Sequence, residues 1–173
     1  MKDFFRLLLP CSLASLTMAT HAQEGPRTPN IVIIVADDLG FGDLSCYGAK
    51  RISTPGIDRL ANEGLRFTQG YAAAATSTPS RYALLTGMYP WTNADAKILR
   101  GNAPLIIDHN RITVPKMLKQ AGYVTGSVGK WHLGLGNGNV DWNERVTPGA
   151  KEVGYDYSFI QAATNDRVPC IFI

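Results

Sequence analysis

Cysteine is scarce in this sequence, with three residues in a chain of 173. None of them belongs to a paired spacing that would hold zinc, which argues against a zinc-binding domain. Cys46 and Cys170 lie beyond the leader described below. In an exported protein they could form a disulfide bond or remain two free thiols, and the sequence leaves both possibilities open.

A strong excess of one charge is also lacking. The 17 Lys and Arg residues are scattered and face 14 Asp and Glu residues, so the formal net charge is only +3. Without a basic run, a nucleic-acid partner is not indicated. Hydrophobic residues (45%) and charged residues (18%) occur in ordinary globular proportions, which excludes a disordered chain, a collagen-like repeat and a coiled coil.

The third feature that is lacking is an apolar run long enough to cross a membrane. Residues 7–20 are apolar but are interrupted by Pro10, follow the basic residues Lys2 and Arg6, and precede small residues around Ala22. This pattern predicts a secretory signal peptide over residues 1–22, in preference to a membrane anchor. We therefore expect an exported protein, periplasmic or secreted, with no stable membrane span.

What is present is an alternation of strand and helix signals, which predicts an α/β fold. Residues 30–36 form a continuous β-branched run that is typical of a buried parallel strand. Capping residues, prolines and stop glycines predict helices over 54–64, 79–87 and 114–122. Further strands are expected at 65–71, 123–128, 155–160 and 170–173.

Two adjacent carboxylates, Asp37 and Asp38, directly follow the first predicted strand. Ligands bind beyond the carboxyl ends of parallel strands, and two hard oxygen donors suit Ca²⁺ or Mg²⁺. Neighbouring strand residues point to opposite faces, so both can reach one ion only if the chain bends, which Gly40 allows. The alternative is a turn in which one carboxylate caps a helix.

Ser77 and Arg81 lie at the start of the second predicted helix. Pro79 in its first turn places Ser77 just ahead of the helix, where backbone N–H groups favour an anion. Arg81 adds a cation, so the segment suits a nucleophile that faces a sulfate or phosphate. The alternative is that Ser77 only caps the helix.

Lys130 and His132 follow the predicted strand at 123–128 and would share one face if the strand continued. A cation beside a titratable imidazole suits anion binding and proton transfer. The alternative is an exposed strand end. His109, in a polar loop, is interpreted as a surface residue.

These clusters carry a family resemblance. The sequence STPSR at 77–81, followed by LTG at 85–87, resembles the signature of type I, formylglycine-dependent sulfatases. The sequence GYVTGSVGKWHLG at 122–134 resembles their second signature, and residues 30–40 and 54–64 resemble the opening strand and first helix of the family. The resemblance runs from about Pro29 to the chain end. It implies an alkaline-phosphatase-like fold, in which helices flank a mainly parallel sheet.

The resemblance also implies the nucleophile and the metal. Ser77 would be oxidised to formylglycine by a sulfatase-maturating enzyme, and the hydrate of its aldehyde would attack the sulfate. Serine at this position resembles the subtype that an oxygen-independent radical enzyme matures. Asp37, Asp38 and the modified residue 77 would bind Ca²⁺.

Three further roles follow from the resemblance. Arg81 would hold the hydrate and assist its ionisation, and Lys130 would bind a sulfate oxygen. His132 would contact the other hydroxyl of the hydrate and help to expel sulfate as the aldehyde forms again. The implied reaction is hydrolysis of sulfate monoesters, with sulfated carbohydrates favoured as substrates.

The sequence departs from the family pattern after His132. The family's later Asp-Asn metal pair, histidine and lysine have no counterpart in a suitable motif, and Asn165-Asp166 has the reversed order. Residues 23–173 therefore are interpreted as the N-terminal part of a sulfatase catalytic domain, truncated and inactive alone. The alternatives are a phosphonate or phosphodiester hydrolase of the same superfamily, or an inactive anion-binding fragment.

Overall fold

The computed structural model describes residues 28–166 and 170–173, so the leader predicted over 1–22 lies outside the described residues. The chain divides into two units, residues 1–36 and residues 37–173. The regular elements are helices α1 (Pro55–Glu63), α2 (Ser77–Thr86), α3 (Val114–Gln120) and α4 (Ala150–Val153), and strands β1 (Gly126–Lys130) and β2 (Tyr157–Gln161). Short 3-10 turns occur at Phe41–Asp43, Ser45–Tyr47 and Pro90–Thr92.

The described part of the first unit is not the buried strand that the sequence predicts. Residues 31–36 adopt no regular structure, and their apolar side chains are exposed, with Val32 at 79% and Ile34 at 81%. A strand is held by ladder hydrogen bonds to a neighbour, and among the described residues the only ladder joins β1 and β2. The β-branched residues favour a strand, but within the described residues this segment has no neighbouring strand to pair with. Residues 65–71, also predicted as a strand, are irregular as well.

The helices form where local signals place them. Helix α1 begins at Pro55 after Thr54, and the N–H of Gly64 closes it on the carbonyl of Leu60. Helix α3 occupies the predicted segment. Helix α2 ends as predicted, with Gly87 in a left-handed conformation at φ 68°, but it begins two residues earlier than predicted. Ser77 is therefore its first residue and does not precede it.

Strands β1 and β2 pair in parallel, in a register that sets Gly126 beside Tyr157 and Lys130 beside Gln161. Both lie slightly later in the chain than predicted. The expected strand at 170–173 is reduced to one antiparallel bridge between Gln161 and Phe172. The carboxyl ends of the two parallel strands therefore meet at Lys130 and Gln161.

The segment after β1 passes directly into the core. Leu133 and Leu135 are almost fully buried, and the indole Nε1 of Trp131 donates to the carbonyl of Gly134 at 2.8 Å. Gly134 has φ 78°, and a Cβ there would lie 1.8 Å from the carbonyl oxygen of Pro104. Only glycine fits this approach, which presses residues 131–136 against residues 103–106. No helix in the described part of the chain is long and apolar enough to cross a membrane.

Candidate active site

A hydrogen bond joins Ser77, at the start of α2, to His132, just beyond β1. The Ser77 hydroxyl oxygen lies 3.0 Å from His132 Nδ1, and His132 Nε2 lies 3.0 Å from the carbonyl oxygen of Leu99. A carbonyl oxygen only accepts, so Nε2 carries a proton, and in the neutral form of the ring Nδ1 is then the acceptor for the Ser77 hydroxyl. The imidazole is therefore oriented to take a proton from a hydroxyl on residue 77.

The backbone around His132 departs from the predicted strand. Strand β1 ends at Lys130, and His132 adopts a left-handed conformation at φ 53°. This conformation is incompatible with a continuing strand, so Lys130 and His132 do not share a strand face. It is held by Thr78, whose buried hydroxyl donates to the carbonyl of His132 at 2.8 Å. His132 itself is only 2% exposed.

Arg81 lies one helical turn after Ser77 and connects three parts of the site. Its Nε donates to the Ser77 hydroxyl oxygen at 3.0 Å, and its Nη1 donates to the carbonyl of Lys130 at 2.6 Å. Its Nη2 lies 3.5 Å from Asp37 Oδ1. Ser77 therefore accepts from Arg81 while it donates to His132, so its oxygen sits between a fixed cation and a proton acceptor.

Asp37 pairs with Lys130 on the other side of the site. Lys130 Nζ lies 2.5 Å from Asp37 Oδ2, and the two side chains are 18% and 39% exposed. The hydrogen bond from Lys130 lowers the pKa of Asp37, against a smaller opposing effect of burial, and the charges of Lys130 and Arg81 lower it further. The bend that both aspartates require occurs at Asp38 itself, which has φ 57°, and not at Gly40.

A cavity of about 480 Å³ brings the predicted residues together. Its wall includes Asp37, Asp38, Ser77, Lys130 and His132, and Arg81 supports it through its hydrogen bond to Ser77. The wall also contains polar residues that the sequence analysis did not select: Gln161, Thr164, Asn165 and Asp166. These residues lie at and beyond the end of β2, and the rule that carboxyl ends of parallel strands share an edge was the signal that could have found them.

The oxygen atoms that line this cavity are of the type that Ca²⁺ prefers as ligands. Asp37, Asp38 and residue 77 offer hard oxygen ligands on one wall, which suit Ca²⁺ better than a soft metal. They supply only part of a shell of about six to eight ligands. No cluster of three or more His, Cys, Asp or Glu side chains placed for a metal occurs within 28–166 and 170–173. Cys46 and Cys170 are free thiols in the structure.

Comparison with protein families gives one match that covers most of the chain. A family model described as "Sulfatase" matches residues 29–168. An N-acetylgalactosamine-6-O-sulfatase of Bacteroides thetaiotaomicron is 58% identical over 151 residues, which are 87% of this chain and 30% of that protein. Steryl-sulfatase of Rattus norvegicus is 48% identical over 139 residues, 75% of this chain and 24% of that protein.

Solved structures show the same likeness. One from a report on glycosaminoglycan metabolism by Bacteroides thetaiotaomicron has a TM-score of 0.82 and 60% identity, covering 84% of this chain and 30% of that chain. Another, of Ps i-CgsB bound to a neocarrahexaose, has a TM-score of 0.63 and 36% identity, covering 78% of this chain and 28% of that chain. The chain thus spans less than a third of the length of the relatives that it matches.

Proposed function

The chain belongs to the sulfatase family, and on that premise we propose that the native protein carrying this sequence hydrolyses sulfate monoesters of glycans. Its fold is the alkaline-phosphatase-like fold of its structural neighbours, here with a small parallel sheet and its helices. One observation carries the proposal: the Ser77 oxygen lies between His132 Nδ1 and Arg81 Nε. Turnover is proposed for the native protein and not for residues 1–173 alone.

Residue 77 is the proposed nucleophile, after a sulfatase-maturating enzyme removes two hydrogens from Ser77 to give formylglycine. The hydrated aldehyde has two hydroxyls, and the site has two partners for them. One hydroxyl oxygen attacks sulfur as the ester S–O bond breaks, and its proton passes to the departing oxygen, so that the sugar leaves as an alcohol. Arg81 Nε donates to the attacking oxygen and stabilises its negative charge. His132 Nδ1 accepts the proton of the second hydroxyl, which drives release of sulfate as the aldehyde forms again. An unmodified serine has no second hydroxyl and would retain the sulfate.

The sulfate is held by positive charge at the end of β1. Lys130 lines the same cavity as residue 77, where its ammonium group binds a sulfate oxygen and stabilises charge in the transition state. Asp37, Asp38 and residue 77 would hold Ca²⁺. When bound, the ion would neutralise sulfate charge and promote ionisation of a hydroxyl.

We take a 6-O-sulfated N-acetylgalactosamine as the first substrate to test, because a relative 58% identical to this chain is named for that activity. The predicted leader, residues 1–22, would export the protein to the periplasm or beyond, where sulfated glycans are accessible. Residues 23–173 would then be the N-terminal part of the mature catalytic domain.

The experiment compares ester classes on the matured native protein with calcium. Sulfate release from the sulfated sugar is measured beside phosphate release from the matching phosphate ester and a phosphonate. We expect the sulfate ester to be preferred and Ser77→Ala to abolish turnover, while Ser80→Ala keeps it. Ser80 is a matched control because it lies in the first turn of α2, as Ser77 does, but its hydroxyl donates to the carbonyl of Ala74, ahead of the helix. Preference for the phosphonate, or turnover by Ser77→Ala, would contradict the proposal.

A further inference from the structure

A second cavity, of about 780 Å³, lies outside the machinery described above. Its wall is formed by Asn102 and by the loop at 138–143, which contributes Asn139, Asp141, Trp142 and Asn143. This volume is within the usual range for a site that binds a small organic ligand. None of its residues takes part in the proposed reaction at residue 77.

The two cavities are joined by one stretch of chain. The carbonyl of Leu99 orients His132 in the first cavity, and Asn102, three residues later, lines the second. Three residues of extended chain span at most about 11 Å. The segment is anchored at its far end, where the N–H of Ala103 donates to the carbonyl of Arg100 at 3.1 Å and the N–H of Leu135 donates to the carbonyl of Ala103 at 2.9 Å. A residue that lines the first cavity and one that lines the second are therefore connected through a short stretch of chain.

The lining of the second cavity suits a sugar. The indole of Trp142 is half-buried and packs against the hydrophobic core, so it offers a rigid apolar surface for the C–H face of a pyranose. Three asparagine amides can both donate to and accept from hydroxyl groups. Asp141 is fixed by its own turn, where its Oδ1 accepts from the backbone N–H and the side-chain amide of Asn143 at 2.9 and 3.1 Å.

The two cavities differ in whether a cation lines them: the first has Lys130 beside three aspartates, and the second has none among the described residues. Lys130 lines the first cavity, whereas Asp141 is the only charged residue that lines the second. A sulfate or carboxylate group in the second cavity would face a carboxylate with no lining cation beside it. The second cavity therefore favours a neutral ligand.

We propose that the second cavity is a subsite for a neutral sugar residue that adjoins the sulfated residue held at Ser77. The protein is then adapted to sulfated oligosaccharides and not to free sulfated monosaccharides. This inference rests on the proposed function, because it assumes that the sulfated residue occupies the first cavity.

The test compares kcat/KM of the matured native protein on 6-O-sulfated N-acetylgalactosamine and on a disaccharide that links this residue to a neutral sugar. We expect an advantage of about tenfold for the disaccharide, which corresponds to about 1.4 kcal/mol. Trp142→Ala and Asn102→Ala should each reduce that ratio toward one. Asn137→Ala, at the exposed residue directly before the loop at 138–143 and outside the cavity wall, is the matched control and should keep it.

A charged disaccharide sharpens the test. When the second sugar carries a carboxylate, the advantage should be lost in wild type and regained in Asp141→Asn. If Trp142→Ala fails to fold, Asn102→Ala and Asn139→Ala decide the result, because both side chains are exposed. A ratio that these variants leave unchanged, or a wild-type ratio near one, would overturn the proposal.

Failure of the proposed function can be distinguished from failure of the subsite proposal. If wild type releases sulfate from neither substrate, calorimetry with the unsulfated neutral disaccharide tests the subsite separately. Binding that Asn102→Ala weakens about tenfold and Asn137→Ala leaves intact supports the subsite. No binding to wild type, or equal binding to both variants, contradicts it.

Discussion

On one side of the active-site cavity, Ser77 and His132 are joined by a hydrogen bond next to the protein interior, whereas on the other side Asp37 and Lys130 form an ion pair that solvent reaches. The first side is fixed by backbone: the carbonyl of Leu99 sets the tautomer of His132, and the hydroxyl of Thr78 holds its carbonyl. The second side is held mainly by opposite charges. The pair proposed for proton transfer is thus already oriented by backbone groups, whereas Asp37 would have to exchange its partner cations for a metal in the proposed calcium site.

Among the variants that keep residue 77 itself, His132→Ala should have the largest effect. In the matured native protein, we expect His132→Ala to slow turnover about a hundredfold to ten-thousandfold. Attack on sulfate survives, so sulfate should accumulate on residue 77, visible as a burst followed by a slow phase. His109→Ala, in a residue interpreted as a surface histidine, is the control. A loss of less than about tenfold would show that His132 is not an acid–base group.

The aspartate side is tested by calcium binding and not by rate. We expect Asp37→Ala and Asp38→Ala each to weaken Ca²⁺ binding to the native protein by about tenfold or more, since each removes a hard oxygen ligand. Isothermal titration calorimetry measures the affinity, and Asp95→Ala, at an exposed residue away from the cavity, is the control. Undiminished affinity in both variants would remove the two aspartates from the metal site.

Thr78→Val tests how much the buried hydrogen bond that holds the His132 backbone contributes to stability. The hydroxyl of Thr78 is buried, and its loss leaves the carbonyl of His132 without that donor. We expect a decrease of about 1–3 kcal/mol in the free energy of unfolding, measured by denaturant titration. Thr92→Val removes a similar hydroxyl-to-carbonyl bond at an exposed position and should have a smaller effect. Equal effects of the two variants would argue against a special role for the buried bond.

The smallest expected effect comes from the ion pair itself. Because the pKa of Asp37 is lowered from its ordinary value of 3.8, its charge stabilises the fold fully above that value and ceases to do so as the pH falls through the lowered pKa. Asp37→Asn should therefore slightly lower the melting temperature at neutral pH, and the difference from wild type should vanish in acid. Added salt should also reduce it. A difference that persists in strong acid would contradict this assignment.

The helices show how much of the fold the sequence could predict. Thr54, Pro55 and Gly64 are local signals, and α1 begins and ends where they predict. The structure of residues 30–36 could not be predicted in the same way. Their apolar, β-branched side chains favour a strand, but a strand forms only where a neighbouring strand is present to pair with it. The register of β1 and β2 likewise depends on contacts distant in sequence.

In the candidate site, too, some features could be predicted from local sequence and others depend on contacts between residues distant in sequence. Its residue types and their places at strand ends and at a helix start could be read from the sequence, and one cavity contains five of them. The hydrogen bond between Leu99 and His132 could not, because it depends on the left-handed backbone at His132 and on a loop with no recognisable motif. The wall beyond β2 was missed because Asn165-Asp166 has the order opposite to the Asp-Asn pair of the family and was interpreted as a loop.

The central claim is that residue 77 acts as formylglycine, and mass spectrometry of the peptide that contains it tests this most directly. Native protein from a host with a maturating enzyme should yield this peptide about 2 Da lighter than the unmodified sequence, with an aldehyde that a hydrazide reagent traps. Activity should rise in proportion to the modified fraction across preparations. Fully active protein with intact, unmodified Ser77 would contradict the account and favour direct serine chemistry.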